Sequence, residues 1–397
     1  MTSFDRLAAC AALVWVAPSV VFAQQGSIDL DEKMFVTVSG SRIVMKAEDL
    51  RFPFSDGFSS PALIAGPEHG TLQIAGFDEQ WTYVPDAGFF GRDSFTFSIG
   101  EKIHHARLYV NPALSPVAGR WPTEGCRPAT DAEAESCPSD GLPGQGAELG
   151  WYDALKQTFY LCDWEDDFLG DCGAFPLPEN GNYQTWTPFT VDRDGDGWHE
   201  LAVRNPRNGD TRIFEIRSFG QGVFQRSYLV QVEDWAVGGA GDLPMAGSWY
   251  GDKTSEMGLY RFDPLTSRVG GLMVEIAGQT TYSLLGSDVA QPSPLAGDWL
   301  GEGQDRIGVY DRDTHGLHFS AAAGGPEQFG STYPYDRPNQ VPVAGRASRD
   351  GRSMLALFEA GPFASYFYVF FFGDESRGPL PLQVTVDPSG PISVPNS

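Results

Sequence analysis

SPVAGRW at residues 115–121 returns as LPMAGSW at 243–249, SPLAGDW at 293–299 and VPVAGRA at 341–347, with a weaker copy, TPFTVDR, at 187–193. The prolines of these copies stand at 116, 188, 244, 294 and 342, at intervals of 72, 56, 50 and 48 residues. A second landmark sets the register. Eleven positions after Val191, Gly247, Gly297 and Gly345 come Ala202, Gly258, Gly308 and Ala356, each a small residue. An apolar residue and an aromatic follow, as in Leu259-Tyr260, Val309-Tyr310 and Leu357-Phe358. In the first copy Gly119 and Gly150 are 31 positions apart, so 20 additional residues precede Trp151-Tyr152. Repeats of about 50 residues with room for three or four short strands predict the blades of a β-propeller or a related array. A single sheet cannot bury both its faces, so neighbours must stack. The copies over 115–385 predict about five blades, closed on themselves or completed by a partner or by the N-terminal unit.

Composition agrees with an all-β fold. The 397 residues suffice for two or three domains, and 47 Gly and 29 Pro supply many turns. No long stretch of the mature chain repeats apolar residues at helical spacing. Asp and Glu number 52 against 27 Lys and Arg, a net charge of −25. Such a surface repels nucleic acid and anionic lipid, which excludes both as natural partners. The acids either keep the chain soluble outside the cell or gather divalent cations.

Residues 1–23 read as a secretory signal peptide: Arg6, then an almost wholly apolar run from Leu7 to Val21, then a cleavage site at Val21-Phe22-Ala23. The run is too short for a membrane span. Leu7-Ala8-Ala9-Cys10 also fits a lipoprotein signal, but almost no apolar segment precedes Cys10. Four cysteines remain after cleavage, Cys126, Cys137, Cys162 and Cys172, and an even count in an exported chain implies disulfides. Three connectivities are open, and the local one, Cys126–Cys137 with Cys162–Cys172, is preferred. None of the four forms a C-x-x-C pair, which argues against zinc. The localisation expected is secreted, periplasmic or cell-surface.

Residues 28–112 carry short β-rich stretches at Met34–Val38, Thr71–Ile74, Gln80–Val84, Ser94–Ile99 and Ala106–Val110, which predict a β-sandwich. The run HGTLQIAGFDEQWTYVPDAGFFGRDSFTFSIG, His69 to Gly100, resembles the bacterial cadherin-like or immunoglobulin-like repeat of large surface proteins. The resemblance implies a spacer or adhesive module, with Phe95 and Phe97 pointing inward and Asp93 tying a turn.

VDRDGDGWHELAV, residues 191–203, is the sharpest chemical signal. Asp192, Asp194 and Asp196 alternate, Gly197 follows, and Glu200 is ninth. Carboxylates converging from a tight loop suit Ca2+, which takes several oxygens at about 2.3–2.6 Å. Gly195 and Gly197 permit the backbone angles that the loop needs, and the Trp198 carbonyl is the expected seventh-position ligand. An EF-hand would need an acid where Val203 stands. The loop and the PxxGDW…GVY framework instead resemble FG-GAP/VCBS-type propeller repeats, as in integrin-like heads. The other copies have lost ligands: Ser248, Tyr250, Asp252 and Glu256 in the third, Asp298, Leu300, Glu302 and Arg306 in the fourth, Arg346, Ser348, Asp350 and Met354 in the fifth. One good site is therefore expected, the degenerate loops keeping their turns by side-chain hydrogen bonds.

The acids Asp163, Glu165, Asp166, Asp167 and Asp171, between Cys162 and Cys172, read as a solvent-facing loop or a further cation site. Trp121, Trp249 and Trp299 share one repeat position and are expected to pack blades, and Tyr366 to Phe372 to form a buried strand. Tyr282, Tyr333 and Tyr335 fall in blade connections; His315 and His318, after Asp311 and Asp313, read as surface residues. No G-x-S-x-G, H-E-x-x-H, P-loop or G-x-G-x-x-G occurs. The expected function is that of an exported, calcium-binding adhesion or ligand-binding module for an extracellular protein or glycan, and residues 386–397 read as a flexible tail. The alternative is a secreted propeller glycoside hydrolase or polysaccharide lyase, which would need two carboxylates about 5–10 Å apart at the axis.

Overall fold

A computed structural model describes residues 32–50, 60–75, 80–121, 148–165, 168–179, 181–219, 226–236, 238–249, 251, 254–262, 270–276, 279–285, 292–312, 314–320, 327–332, 340–346, 352–360, 365–371 and 380–384. The signal peptide, the tail after residue 385, Cys126 and Cys137 lie outside the described residues, as do Tyr333 and Tyr335.

The N-terminal unit has strands β1 (Glu32–Val38), β2 (Ile43–Met45), β3 (Pro61–Ala65), β4 (Gly70–Ala75), β5 (Gln80–Pro85), β6 (Gly91–Ile99) and β7 (Lys102–Asn111), with one helical turn, α1 (Ala47–Leu50). Two sheets, β1-β7-β6-β3 and β2-β5-β4, face each other across Trp81, Tyr83, Phe95, Phe97, Ala106 and Leu108. The strict alternation in β6 and β7 sends Phe95 and Phe97 inward and Arg92, Ser94 and Thr96 outward. Asp93 ties the segment before β4 to this core. Its Oδ1 accepts from the Glu68 and Ser94 amides, its Oδ2 from the His69 amide and the Tyr83 hydroxyl, at 2.8–3.0 Å. The sequence reading missed β2 and β3, which are three and five residues long.

The described residues from Leu114 onward form five four-stranded antiparallel meanders. They are β8 (Leu114–Gly119) to β11, with β9 (Glu148–Asp153), β10 (Thr158–Glu165) and β11 (Phe168–Pro176); β12 (Thr187–Val191), β13 (Glu200–Arg204), β14 (Asp210–Phe219) and β15 (Arg226–Ala236); and β16 (Leu243–Gly247), β17 (Glu256–Phe262), β18 (Gly270–Ile276) and β19 (Gln279–Leu285). The last two are β20 (Pro292–Gly297), β21 (Arg306–Asp311), β22 (Gly316–Ser320) and β23 (Glu327–Thr332), then β24 (Val341–Arg346), β25 (Ser353–Glu359), β26 (Ser365–Phe371) and β27 (Leu380–Val384).

The eleven-residue spacing reflects the first hairpin of the last four repeats, in which the second landmark pairs with the residue two positions before the first. Phe189 faces Ala202, Met245 faces Gly258, Leu295 faces Gly308 and Val343 faces Ala356. In the first repeat the hairpin pair Gly119 and Glu148 is separated by 20 residues more than the pair Val191 and Glu200, so the insertion falls within the hairpin loop.

Each sheet shares an apolar core with two others. Val117, Trp121 and Phe159 of the first meet Leu201 and Phe214 of the second; Val191 of the second meets Met257 of the third. Met245 and Trp249 of the third meet Val309 of the fourth, and Leu295 and Trp299 of the fourth meet Leu355 and Tyr368 of the fifth. Leu149, Trp151 and Cys162 of the first meet Phe358 and Phe367 of the fifth. The first strands adjoin in the same cyclic order, β8 touching both β12 and β24. Trp121, Trp249 and Trp299 are all buried, and so is β26 from Phe367 to Phe370, as the sequence predicts.

A disulfide joins Cys162 to Cys172 across paired positions of β10 and β11. The stretch between them is a hairpin whose strands run to Glu165 and from Phe168, so it is not the open loop that the sequence suggested; the acidic side chains of 163–171 lie outside those described.

Candidate metal centre

The loop from Asp192 to His199 joins β12 to β13. Gly195 (φ 74°) and Gly197 (φ 87°) take left-handed conformations, which turn the chain so that alternate carboxylates face one point. Asp192, Asp194 and Asp196 each bring an oxygen within 4.8 Å of the other two. Two ligands on opposite sides of a calcium ion stand about 4.6–5.2 Å apart, twice the usual Ca–O distance, so the spacing fits that ion. The donor set fits as well: three hard carboxylates and no sulfur or imidazole.

Asp192 is buried (7% exposed), whereas Asp194 and Asp196 are exposed. Its Oδ1 accepts from the Gly195 amide at 3.0 Å and its Oδ2 from the Gly197 amide at 3.1 Å. Burial first, then the charge of Asp196, outweighs these bonds and pushes its carboxyl up to about 6. A cation at this point would relieve both the burial and the repulsion.

Glu200 stands outside the group of three. It is buried, and its Oε2 accepts from the Arg193 amide at 3.0 Å. Glu256, at the same position in the third repeat, accepts from the Trp249 amide at 3.0 Å. The role is therefore a repeated brace across the hairpin base. The sequence held the signal: Glu256 persists in a copy whose other loop positions are Ser248, Tyr250 and Asp252. Trp198 donates its amide hydrogen to Asp196 Oδ1 at 2.8 Å, and the Arg120 guanidinium sits 4.5 Å from its ring. The Asp194 Oδ1 accepts from the Asp196 amide at 3.2 Å.

The fourth repeat shows what a degenerate loop does. Asp298, the counterpart of Asp192, accepts from the Glu302 amide at 2.9 Å and the Gly303 amide at 2.6 Å. Glu302 and Arg306 occupy the positions of Asp196 and Glu200, and they form an ion pair at 2.6 Å. A guanidinium from the chain itself thus supplies the positive charge in that loop, and the turn is kept by side-chain hydrogen bonds.

His315 lies in the β21–β22 turn at φ 55° with its Nδ1 3.3 Å from the Tyr310 hydroxyl, and His318 is in β22. Asp311 accepts from the Thr314 hydroxyl at 2.6 Å. The turn is built like the β9–β10 turn, where Asp153 caps the Leu155 and Lys156 amides and Gln157 sits at φ 52°. The Asp311–Thr314 hydrogen bond and the Tyr310–His315 contact shape this turn.

Residues 17–102 match the family of the bacterial Ig domain. The N-terminal unit is an Ig-like domain. The match covers both sheets of the sandwich up to the β6–β7 hairpin, so the Ig-like domain carries the β2 and β3 strands as well. No curated protein matches the chain. Among solved structures, one from Bacteroides thetaiotaomicron, described as a candidate phosphatase, is 11% identical over 82% of this chain and 92% of its own, with a TM-score of 0.26. So distant a likeness carries no argument about fold or activity. Among the described residues no helix is long and apolar enough to cross a membrane.

Proposed function

We propose that the chain is an exported, calcium-binding recognition module: the Ig-like domain followed by a five-bladed propeller whose second blade holds one structural Ca2+ in the loop Asp192–Glu200. Asp192, Asp194 and Asp196 are the direct ligands, Trp198 supplies its carbonyl, and Glu200 braces the hairpin. The reading is carried by one observation: three carboxylates within 4.8 Å of one another, one of them buried. The cyclic order of shared cores supports the propeller. Residues 1–23 and the Cys162–Cys172 disulfide support an oxidising compartment outside the cytoplasm. The partner proposed is an extracellular protein or glycan, met by a surface that the ion stiffens; nucleic acid and membrane insertion have no place in it.

The test is a thermal melt of the mature chain in Ca2+ and in chelator, with Asp194→Ala/Asp196→Ala alongside. Calcium should raise the melting temperature of the wild type and leave the double variant unmoved. A wild type indifferent to chelation ends the metal reading. A glycan and protein array read with and without Ca2+ then identifies the partner class.

A further inference from the structure

We infer that the Ig-like domain is a fixed cap on the repeats and not a spacer ahead of them. Cross-strand partners share a face of a sheet, and Tyr109 pairs with both Val36 and Arg92. The face they define is the outer face of β1-β7-β6-β3, the side of an Ig-like sheet that normally meets solvent. Here it is covered. Val36 and Val38 are buried, and Val38 joins the core of the first and second repeats. Tyr109 packs on the core of Leu243 and Met245 in the third. From the other side, Val341 at the start of the fifth repeat packs on the Ig-like core.

Hydrogen bonds fix the orientation. The Asn111 amide donates to the Thr185 carbonyl at 2.5 Å and its Oδ1 accepts from the Thr187 hydroxyl at 3.3 Å. Arg92 donates to the Gly241 carbonyl at 3.1 Å. Arg312, in the β21–β22 turn of the fourth repeat, donates to the Phe90 carbonyl at 2.8 Å while its guanidinium lies 4.3 Å from the Phe90 ring. The domain thus touches all five repeats, and at the same end of each: where first strands begin and second strands finish. A unit held at points around the whole array cannot swing about Pro112-Ala113. Relative motion of linked domains is the default unless a broad apolar interface suppresses it, and here Val36, Val38, Tyr109 and Val341 supply apolar contacts on several repeats. The consequence, which rests on the propeller reading, is that the capped end is closed to an outside partner, whereas the opposite end, where the hairpin loops from Asp192 and Asp298 lie, is not covered by this domain.

Scanning calorimetry of the full mature chain tests the cap with Phe97→Leu, a substitution confined to the Ig-like core. The expected result is one transition that moves down as a whole by several degrees. Two transitions, with only one displaced, would overturn the cap. If Phe97→Leu fails to fold, maleimide labelling of variants with one added cysteine, corrected for the labelling of the wild type, answers the same question. Val36→Cys, under the interface, should react at least tenfold more slowly than Ile103→Cys, which is 60% exposed on the same sheet. Equal rates would also overturn it. Neither readout involves calcium, so failure of the metal reading leaves both results standing.

Discussion

Arg120 and His199 hold each other across the junction of the first two repeats: the His199 amide donates to the Arg120 carbonyl at 2.6 Å, and the Arg120 amide donates back to His199 Nδ1 at 3.1 Å. A backbone amide can only donate, so Nδ1 keeps its lone pair and the ring proton sits on Nε2. The same clasp recurs at two further junctions. The Asp305 amide bonds the Ser248 carbonyl while Asp305 Oδ2 accepts from the Ser248 amide. The Ser353 amide bonds the Asp298 carbonyl while Ser353 Oγ accepts from the Asp298 amide at 2.7 Å. Between the second and third repeats the backbone half is present, from the Ser255 amide to the Asp192 carbonyl at 2.7 Å. His, Asp and Ser serve alike because the geometry asks only for an acceptor.

Ser353→Ala should therefore cost stability although it removes a single oxygen. Ser353 and Asp298 are both buried, and the Asp298 amide would lose its acceptor where water cannot replace it. An orphaned buried donor costs about 1–3 kcal/mol. The denaturation midpoint in urea should fall with an unchanged slope. A midpoint equal to that of the wild type would remove the clasp from the list of stabilising contacts.

The glycine of the Ala-Gly motif is explained by the same junction. A Cβ on Gly297 would stand 2.8 Å from Ser353 Cβ and from the Trp299 ring, and one on Gly119 would stand 3.0 Å from His199 Cβ. Gly297→Ala is expected to destabilise by about 1–3 kcal/mol through overpacking, against the ordinary gain from replacing glycine. Gly66→Ala is the control, since nothing lies within 4 Å of its added Cβ and its φ is unexceptional; there about 0.4–1 kcal/mol of stabilisation is expected. Equal effects at the two sites, read from chemical denaturation, would refute the packing account.

These clasps mark how far the sequence could be read. Period and register were legible because hairpin pairing is local: Gly308, eleven positions after Gly297, pairs with Leu295 just before that glycine. So was the carboxylate cluster, whose three members lie within five residues. Asp93 and the inward Phe95 and Phe97 followed from alternation and turn chemistry. The hydrogen bond from the Arg193 amide to Glu200 was not legible in the pattern of acids, which spoke only for its charge. The docking of the Ig-like domain was invisible, because Arg312 and Phe90 are 222 residues apart and neither belongs to a motif. The strand β2 was missed because three residues cannot establish a pattern, and β3 because PALIA does not alternate: only Pro61 is buried and the next four residues are exposed.

The buried carboxyl of Asp192 gives the proposed site a pH signature. Its folded-state pKa is raised from 3.8 to about 6, by burial above all and then by Asp196. Between those values the folded chain holds a proton that the unfolded chain has released, so this group favours folding at low pH, and that advantage is lost as pH rises through about 6. In chelator, the melting temperature of the wild type should therefore fall relative to that of Asp192→Asn between pH 5 and pH 7, since the amide cannot titrate. Added Ca2+ should reverse the slope, because the ion binds the deprotonated carboxylates and competes with the proton; the calcium-induced rise should be largest near pH 7 and shrink below about 6. Wild type and Asp192→Asn curves that run parallel in chelator would show that Asp192 carries no such strain, and with it would go the reason for a cation at the centre of the loop.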